Sequence, residues 1–423
     1  MTESPPVVDR IVADWPTPLN RSLPSHESDL RVSTAGQEPM QRRPTVALFI
    51  PSIALGGAER QALQLAQYLN EKKWRVLLLT IAPAPHVPDQ MSHVIHLSLG
   101  GRKGVSAVRR LASILSRERV EILQAFLLGA QIYALSAKAF SGDVQLVAAV
   151  RASMRLNQIP GWKGRISHAL VFGFPALVAQ YVFNSSAAER TVGGNLPAHK
   201  RRVISNGIDT ARFRPDLGAR EYLREIAGVP ADGRIVGIIA NVNAEKGYET
   251  FVRASAMVAR EIPDVYFVAL GEYRHPLGKR IQALVGEHSL SPKFRFIGSR
   301  KDVEKIIPGI DVVCSASSTE GFSNSIAEAM ACGVPCVVTA VGDSALIVGE
   351  AGVIVPPNDA HALAAGLHSL LIRERDDLRA LGAEARRRIE ENFGIRRMVE
   401  QYEILYESLL GSSQGEKAPL HID

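Results

Sequence analysis

At 423 residues the chain is too long for one ordinary domain and long enough for two. Its 46% hydrophobic and 22% charged content excludes a disordered or fibrous chain. A net charge of +6 suits an acidic ligand or an anionic membrane surface; with no aromatic residues interleaved among the basic ones, it does not point to nucleic acid.

Residues 1–43 are rich in Pro, Ser, Glu and Arg and carry no hydrophobic period, so they read as a disordered extension without a signal peptide. Thr45 to Pro51 is a continuous apolar run, the mark of a strand buried on both faces of a parallel sheet. Gly56 and Gly57 follow, then a helix through about Leu69. This strand–glycine turn–helix order lacks Gly-x-Gly-x-x-Gly, so it does not support a dinucleotide site, but it permits close backbone approach to a ligand. Strands are expected at 75–81, 93–97, 121–125, 145–150 and 180–183, with helices near 104–117, 129–140 and 186–192. Ala169 to Phe183 is too short and broken to span a membrane. It reads as a buried helix followed by a core strand; Trp162, Lys163 and Arg165 just before it make a membrane-surface placement the alternative. Val203 to Asp209 is a short strand into a turn, and the chain then looks charged and loop-like to Gly233.

A second alternating series follows, with strands at 234–240, 265–270, 294–297, 311–315, 334–339 and 352–355. Helices are expected near 247–260, 277–288, 301–307, 323–332, 360–372, 376–392 and 394–410. Strand–helix alternation twice over predicts two doubly wound α/β domains facing across a cleft, with ligands at strand carboxyl ends. The expected division is an extension to residue 43, a first domain at 44–210, a second at 211–393, a helix at 394–411 crossing back to the first, and a tail at 412–423. Cys314, Cys332 and Cys336 are too few for a disulfide framework and imply a reducing cytoplasm; the last two read as small buried hydrophobes. No Asp-x-Asp occurs, which removes one common way of holding a metal on a nucleotide diphosphate.

The stretch Ser318–Cys336 carries most of the chemistry. Glu320 precedes a helix that Ser323 or Asn324 is placed to cap, and Glu328 lies about one turn inside it. Gly333 and Pro335 end the helix. A helix N-terminus between two carboxylates is a ready anion site. Taken alone, a pair of solvated surface glutamates is the commoner explanation of such spacing.

The order and spacing of several pieces resemble glycosyltransferase family 4, whose members are retaining, sugar-nucleotide-dependent enzymes of the GT-B fold with two Rossmann-like domains. The pieces are Gly56–Glu59, Ser205–Asp209, Glu245-Lys246-Gly247, Leu270-Gly271-Glu272, Phe296–Gly298, Asp302-Val303, Ser318–Asp343 and Gly352–Asp359. The resemblance implies transfer of a sugar from a nucleotide-diphosphate sugar, as donor substrate and with no cofactor or metal, to a carbohydrate or lipid-linked hydroxyl acceptor in polysaccharide or glycolipid synthesis. It implies that Glu320 meets the donor sugar, Glu328 the ribose, Lys246 the diphosphate, and the backbone of Gly321, Phe322, Ser323 and Asn324 the sugar and diphosphate. Gly57 would close over the diphosphate, and Gly271 and Glu272 would lie near the base. Relatives commonly carry an arginine in the turn before the lysine; here 240–245 holds none, and Arg274 and Arg300 are the candidates to replace it. Arg151 stands where many relatives have a histidine, and is expected either to meet the diphosphate or an acidic acceptor group, or to form a structural salt bridge. Rival expectations are a nucleotide-sugar-binding protein with lost catalysis, a sugar-nucleotide epimerase of the GT-B fold, and a two-domain NAD(P) oxidoreductase. Contact with the inner face of a membrane is also expected.

Overall fold

The computed structural model describes residues 42–53, 56–83, 91–151 and 161–415. Most of the expected extension, and the end of the expected tail from residue 416, lie outside them. The first sheet has seven strands: β1 (Thr45–Ile50), β2 (Arg75–Thr80), β3 (Ile95–Ser98), β4 (Ile122–Phe126), β5 (Gln145–Val150), β6 (Gln180–Phe183) and β7 (Arg201–Val203), ordered β3-β2-β1-β4-β5-β6-β7. The second has six: β8 (Arg234–Ile239), β9 (Val265–Leu270), β10 (Phe294–Gly298), β11 (Val312–Ser315), β12 (Cys336–Thr339) and β13 (Gly352–Val355), ordered β10-β9-β8-β11-β12-β13. All five pairings of the second sheet are parallel, as are those of β1 with β2 and with β4. Two Rossmann-like sheets of this order constitute the GT-B fold.

All six residues of β1 are buried, as a strand covered by helices on both faces requires. In the second sheet the alternation of side chains sorts the core into two layers. Ile235, Val268 and Val313 face one layer with Leu223, Ile326, Met330 and Ile389. Val236, Ile238, Val312 and Phe267 face the other with Phe251, Ile281 and Leu367. Each buried aliphatic chain contributes about 1.5–3 kcal/mol, so these layers dominate the stability of the sheet.

The chain divides into two compact units, one running to Val147 together with the residues from Ser412, the other spanning Ala148–Gly411; the boundary falls inside β5. The segment expected to be loop-like before Gly233 contains a helix, Ala219–Ala227. Its charged composition hides an apolar stripe at spacing four: Ala219, Leu223 and Ala227 are all buried. The segment before β6 also departs from the buried-helix expectation. A helix runs from Trp162 to Gly173, and although Val171 is buried and Phe172 stacks between His168 and Tyr181, Trp162, Ile166, Leu170 and Phe174 are exposed. All three cysteines are buried free thiols, each pushed up by burial.

Candidate functional site

In the second sheet the strand order reverses between β8 and β11. Loops leaving such neighbours diverge and open a crevice at their carboxyl ends. Lys246 comes from the loop after β8 and Glu320 from the loop after β11. The first loop is set by Asn243, whose side-chain oxygen accepts the amides of Glu245 and Lys246, both at 3.0 Å. Gly247 then turns with φ +62°, and a Cβ there would lie 1.8 Å from the Ala316 carbonyl oxygen, so only glycine fits. The Glu245 carbonyl accepts from the Ser318 amide at 2.8 Å, lacing the two loops together. The result is an ion pair, Lys246 Nζ to Glu320 Oε1 at 2.5 Å, with side chains 28% and 11% exposed. Ser317 Oγ donates a second bond to the same carboxylate oxygen at 2.8 Å. A pocket of about 10 Å³, the size of one water, sits beside Lys246, Glu320 and Ser325.

The helix that starts between Glu320 and Glu328 runs Asn324–Ala331, and no side chain caps it, contrary to the expectation for Ser323 or Asn324. The reason is tertiary. Ser323 is buried, and the side-chain oxygen of Asn324 accepts from Asn206 Nδ2 at 2.8 Å. Phe322 turns its ring into the core against Phe393, 5.6 Å between centroids. Gly321 presents its carbonyl to the Asp343 amide at 2.9 Å. Glu328 lies one turn inside the helix and is buried. An uncapped N-terminus, a lysine and two carboxylates at different depths are thus gathered at one end of this sheet.

Gly271 and Glu272 follow β9. The Glu272 amide donates to Asn241 Oδ1 at 2.8 Å, and its Oε1 accepts the amides of Tyr273 and Arg274 at 2.9 and 2.6 Å, so this loop is tied to the one that carries Lys246. Arg151, at the end of β5, donates Nη1 to Asn206 Oδ1 and Nη2 to the Tyr402 hydroxyl at 3.2 Å. Through Asn206 it is connected to Asn324. Arg300 grips Asp302 at 2.9 and 2.8 Å and the Tyr222 hydroxyl at 2.7 Å. Burial works to raise the Asp302 pKa, but the bonds from Arg300 and Tyr222 outweigh it and hold it below the usual carboxylate range. Arg274 lies 5.5 Å over the Tyr273 ring. Gly57 belongs to the first unit, where it opens the helix Gly57–Tyr68 directly after β1, at the corresponding reversal between β1 and β4. In the same unit, Leu127, which directly follows β4, has φ +65°, a strained conformation for a leucine.

Two residues were not read as site residues from the sequence. Asn206 links Arg151 to Asn324. Asp343 accepts the amides of Ser186 and Ala187 at 2.7 and 2.9 Å, which with Ser185 Oγ on Ala188 N fills the first turn of the helix Ser186–Val192. Both lie within motif pieces quoted above, but their partners are 118 and 157 residues away. Among the described residues, no three His, Cys, Asp or Glu side chains cluster as a metal site.

The Glycosyltransferase Family 4 model matches residues 55–212, and the model described as Glycosyl transferases group 1 matches 233–373. A lipopolysaccharide core biosynthesis mannosyltransferase, LpsB, from Rhizobium meliloti is 29% identical over 215 residues, 49% of this chain and 61% of that protein. An Escherichia coli UDP-Gal:alpha-D-GlcNAc-diphosphoundecaprenol alpha-1,3-galactosyltransferase is 26% identical over 215 residues, 49% of this chain and 54% of that protein. The chain therefore spans little more than half the length of these relatives. The structure of Anabaena Alr3699/HepE in complex with UDP and glucose is similar with a TM-score of 0.74 and 18% identity, covering 86% of this chain and all of that one.

Proposed function

The chain belongs to glycosyltransferase family 4, and from that premise we propose that it moves a sugar from a nucleotide-diphosphate sugar to a hydroxyl acceptor, with retention at the anomeric carbon and without a metal. The observation that carries this reading is the meeting of Lys246 and Glu320 at the strand reversal of the second sheet, next to an uncapped helix N-terminus. As the anomeric carbon–oxygen bond breaks, negative charge grows on the β-phosphate. Lys246 and the amides from Gly321 to Asn324 stabilise that charge. The acceptor oxygen bonds to the anomeric carbon on the face the phosphate leaves, and its proton passes to a phosphate oxygen, so no separate base is required. Donor binding then replaces the Lys246–Glu320 pair: the lysine turns to the diphosphate and the freed carboxylate accepts sugar hydroxyls. Glu328 takes the ribose, and Gly271 and Glu272 flank the base.

An envelope polysaccharide or glycolipid precursor as acceptor is supported by the names of these relatives. Among the described residues no helix is long and apolar enough to cross a membrane. Peripheral attachment to its inner face is supported by the exposed stripe Trp162, Ile166, Leu170 and Phe174, with Arg165 also exposed. Thermal-shift and hydrolysis screens of nucleotide sugars identify the donor. In the transfer assay that follows, Glu328→Ala raises the donor KM and Lys246→Ala lowers kcat; unchanged kinetics in both variants would refute the assignment. Donor binding without any turnover would favour the binding-protein reading, which the absence of an arginine before Lys246 motivates.

A further inference from the structure

The second sheet carries another built surface, at the edge opposite Lys246 and Glu320. Here a groove of about 510 Å³ runs between the helix Arg375–Asn392 and the segment 215–220, across residues that immediately precede β11 and β12. This volume suits a small organic ligand. Its apolar lining includes Leu217, which is fully exposed, together with Val334 and Leu378. The helix supplies Arg375, Arg379, Arg386 and Arg387, with Ala383 also lining the groove between the second and third.

The arginines differ in what holds them. Arg386 is fixed by the Ala331 and Phe213 carbonyls at 2.5 and 3.1 Å and by Glu390 at 2.5 Å. Arg220 is fixed by Asp311 at 2.6 Å and the Gly233 carbonyl at 3.2 Å. Arg379 and Arg387 sit in exposed pairs with Asp376 and Glu384, a kind that contributes little. Arg375 makes no hydrogen bond or ion pair among the described residues. Arg224, which does not line the groove, follows Arg220 by one helical turn. Arg224 Nε and Nη2 and Arg220 Nε are buried with no acceptor. Burial, with the neighbouring Arg220 and Arg375, lowers the Arg224 pKa, and Asp311 and Asp232 oppose the shift. Of the two Asp311 oxygens, one is taken by Arg220 and the other by the Ile235 amide at 2.7 Å. Arginines therefore outnumber the carboxylates Asp216, Asp311 and Glu390 along the lining, and buried N–H donors are left unfilled at this end.

We propose that this groove is a second ligand site, taking a phosphate ester with an apolar body. The phosphate sits at Arg220 and Arg375, where guanidinium groups match its geometry. The apolar body lies along Leu217, Val334 and Leu378. Such a ligand comes either as a soluble phosphate ester or as a lipid headgroup.

The test is calorimetric titration of the full chain with hexyl phosphate and with inorganic phosphate, on wild type, Lys246→Ala and Arg375→Ser/Arg379→Ser. Hexyl phosphate is expected to bind at least tenfold more tightly than phosphate. The double serine variant should lose at least tenfold of that affinity, and Lys246→Ala should retain it. Both replaced arginines are on an exposed helix face, so folding is preserved, and unchanged thermal midpoints check this. Sedimentation with phosphatidic acid vesicles separates the two sources: binding that falls in the double variant assigns a lipid headgroup, and binding that does not assigns a soluble ester. No hexyl phosphate binding, equal binding in the double variant, or loss only in Lys246→Ala would each overturn the proposal.

Discussion

Replacing Gly247 by alanine tests whether the two loops of the candidate site are held together as described. Gly247 has φ +62°, and its added Cβ would meet the backbone oxygen of Ala316 at 1.8 Å. Gly228, which closes the helix Ala219–Ala227, provides the control: φ is +61° and nothing lies within 4 Å of the added atom. Both variants bear the left-handed penalty of an L-residue, about 1–2 kcal/mol. Only Gly247→Ala must also displace a backbone carbonyl, for which overpacking adds about 1–3 kcal/mol. At about 2–4 °C per kcal/mol, Gly228→Ala should lower the thermal midpoint by about 2–8 °C and Gly247→Ala by about 4–20 °C. The displaced oxygen belongs to the residue before Ser317, so Gly247→Ala should also move Glu320 and weaken donor binding, while Gly228→Ala leaves it intact. Differential scanning calorimetry with a donor titration reads both effects. Equal midpoints and equal donor affinity in the two variants would refute the close-approach argument.

Asp343→Ala removes an anionic acceptor from two backbone amides at the start of the helix Ser186–Val192. Hydrogen bonds to charged groups contribute about 1.5–3 kcal/mol each, and water enters the shaved site, so urea unfolding should show a loss of about 2–4 kcal/mol. Asp343→Asn, which keeps an acceptor, should lose less; a loss in Asp343→Ala under about 0.5 kcal/mol contradicts the assignment. A third expectation concerns pH. Burial lowers the pKa of both His96 and His168 from 6.5. The unfolded chain therefore takes up protons, as pH falls through about 6.5, that the folded chain resists. Stability is full above that value and declines below it, by at most about 1.4 kcal/mol per pH unit for each histidine. Thermal midpoints at pH 7.5 and 5.5 should fall in that order, and the His96→Gln/His168→Gln pair should flatten the slope.

Strands such as Thr45–Ile50 and Val265–Leu270 were legible because a parallel strand covered on both faces is a continuous apolar run. The helix Ala219–Ala227 was not, since three modest apolar residues bury it while charge dominates its composition. The Glu320–Glu328 spacing indicated a helix start between two acids. It did not reveal that Lys246 would be ion-paired with Glu320, because that contact depends on a strand reversal that brings together residues 74 apart. The cap assigned to Ser323 or Asn324 failed for a related reason: propensity rewards a local bond, and Asn206 claims Asn324 from 118 residues away. The exposed stripe from Trp162 to Phe174 has helical spacing, yet spacing alone does not say which face meets the core.

The tie between Asp343 and the helix Ser186–Val192 bears on how such chains are grafted. A fragment begun at residue 211, the proposed start of the second domain, keeps all six strands of the second sheet but strands three of its attachments. Asp343 loses the amides of Ser186 and Ala187, Asn324 loses Asn206, and Gly394 loses its bridge to Ile208. All of these partners fall in the unit that begins at Ala148. A chimaera that exchanges only the residues up to Val147 leaves every one of them in place. The finishing pieces of the second sheet's site are thus encoded upstream of that sheet, and a cut chosen from strand order alone would sever them.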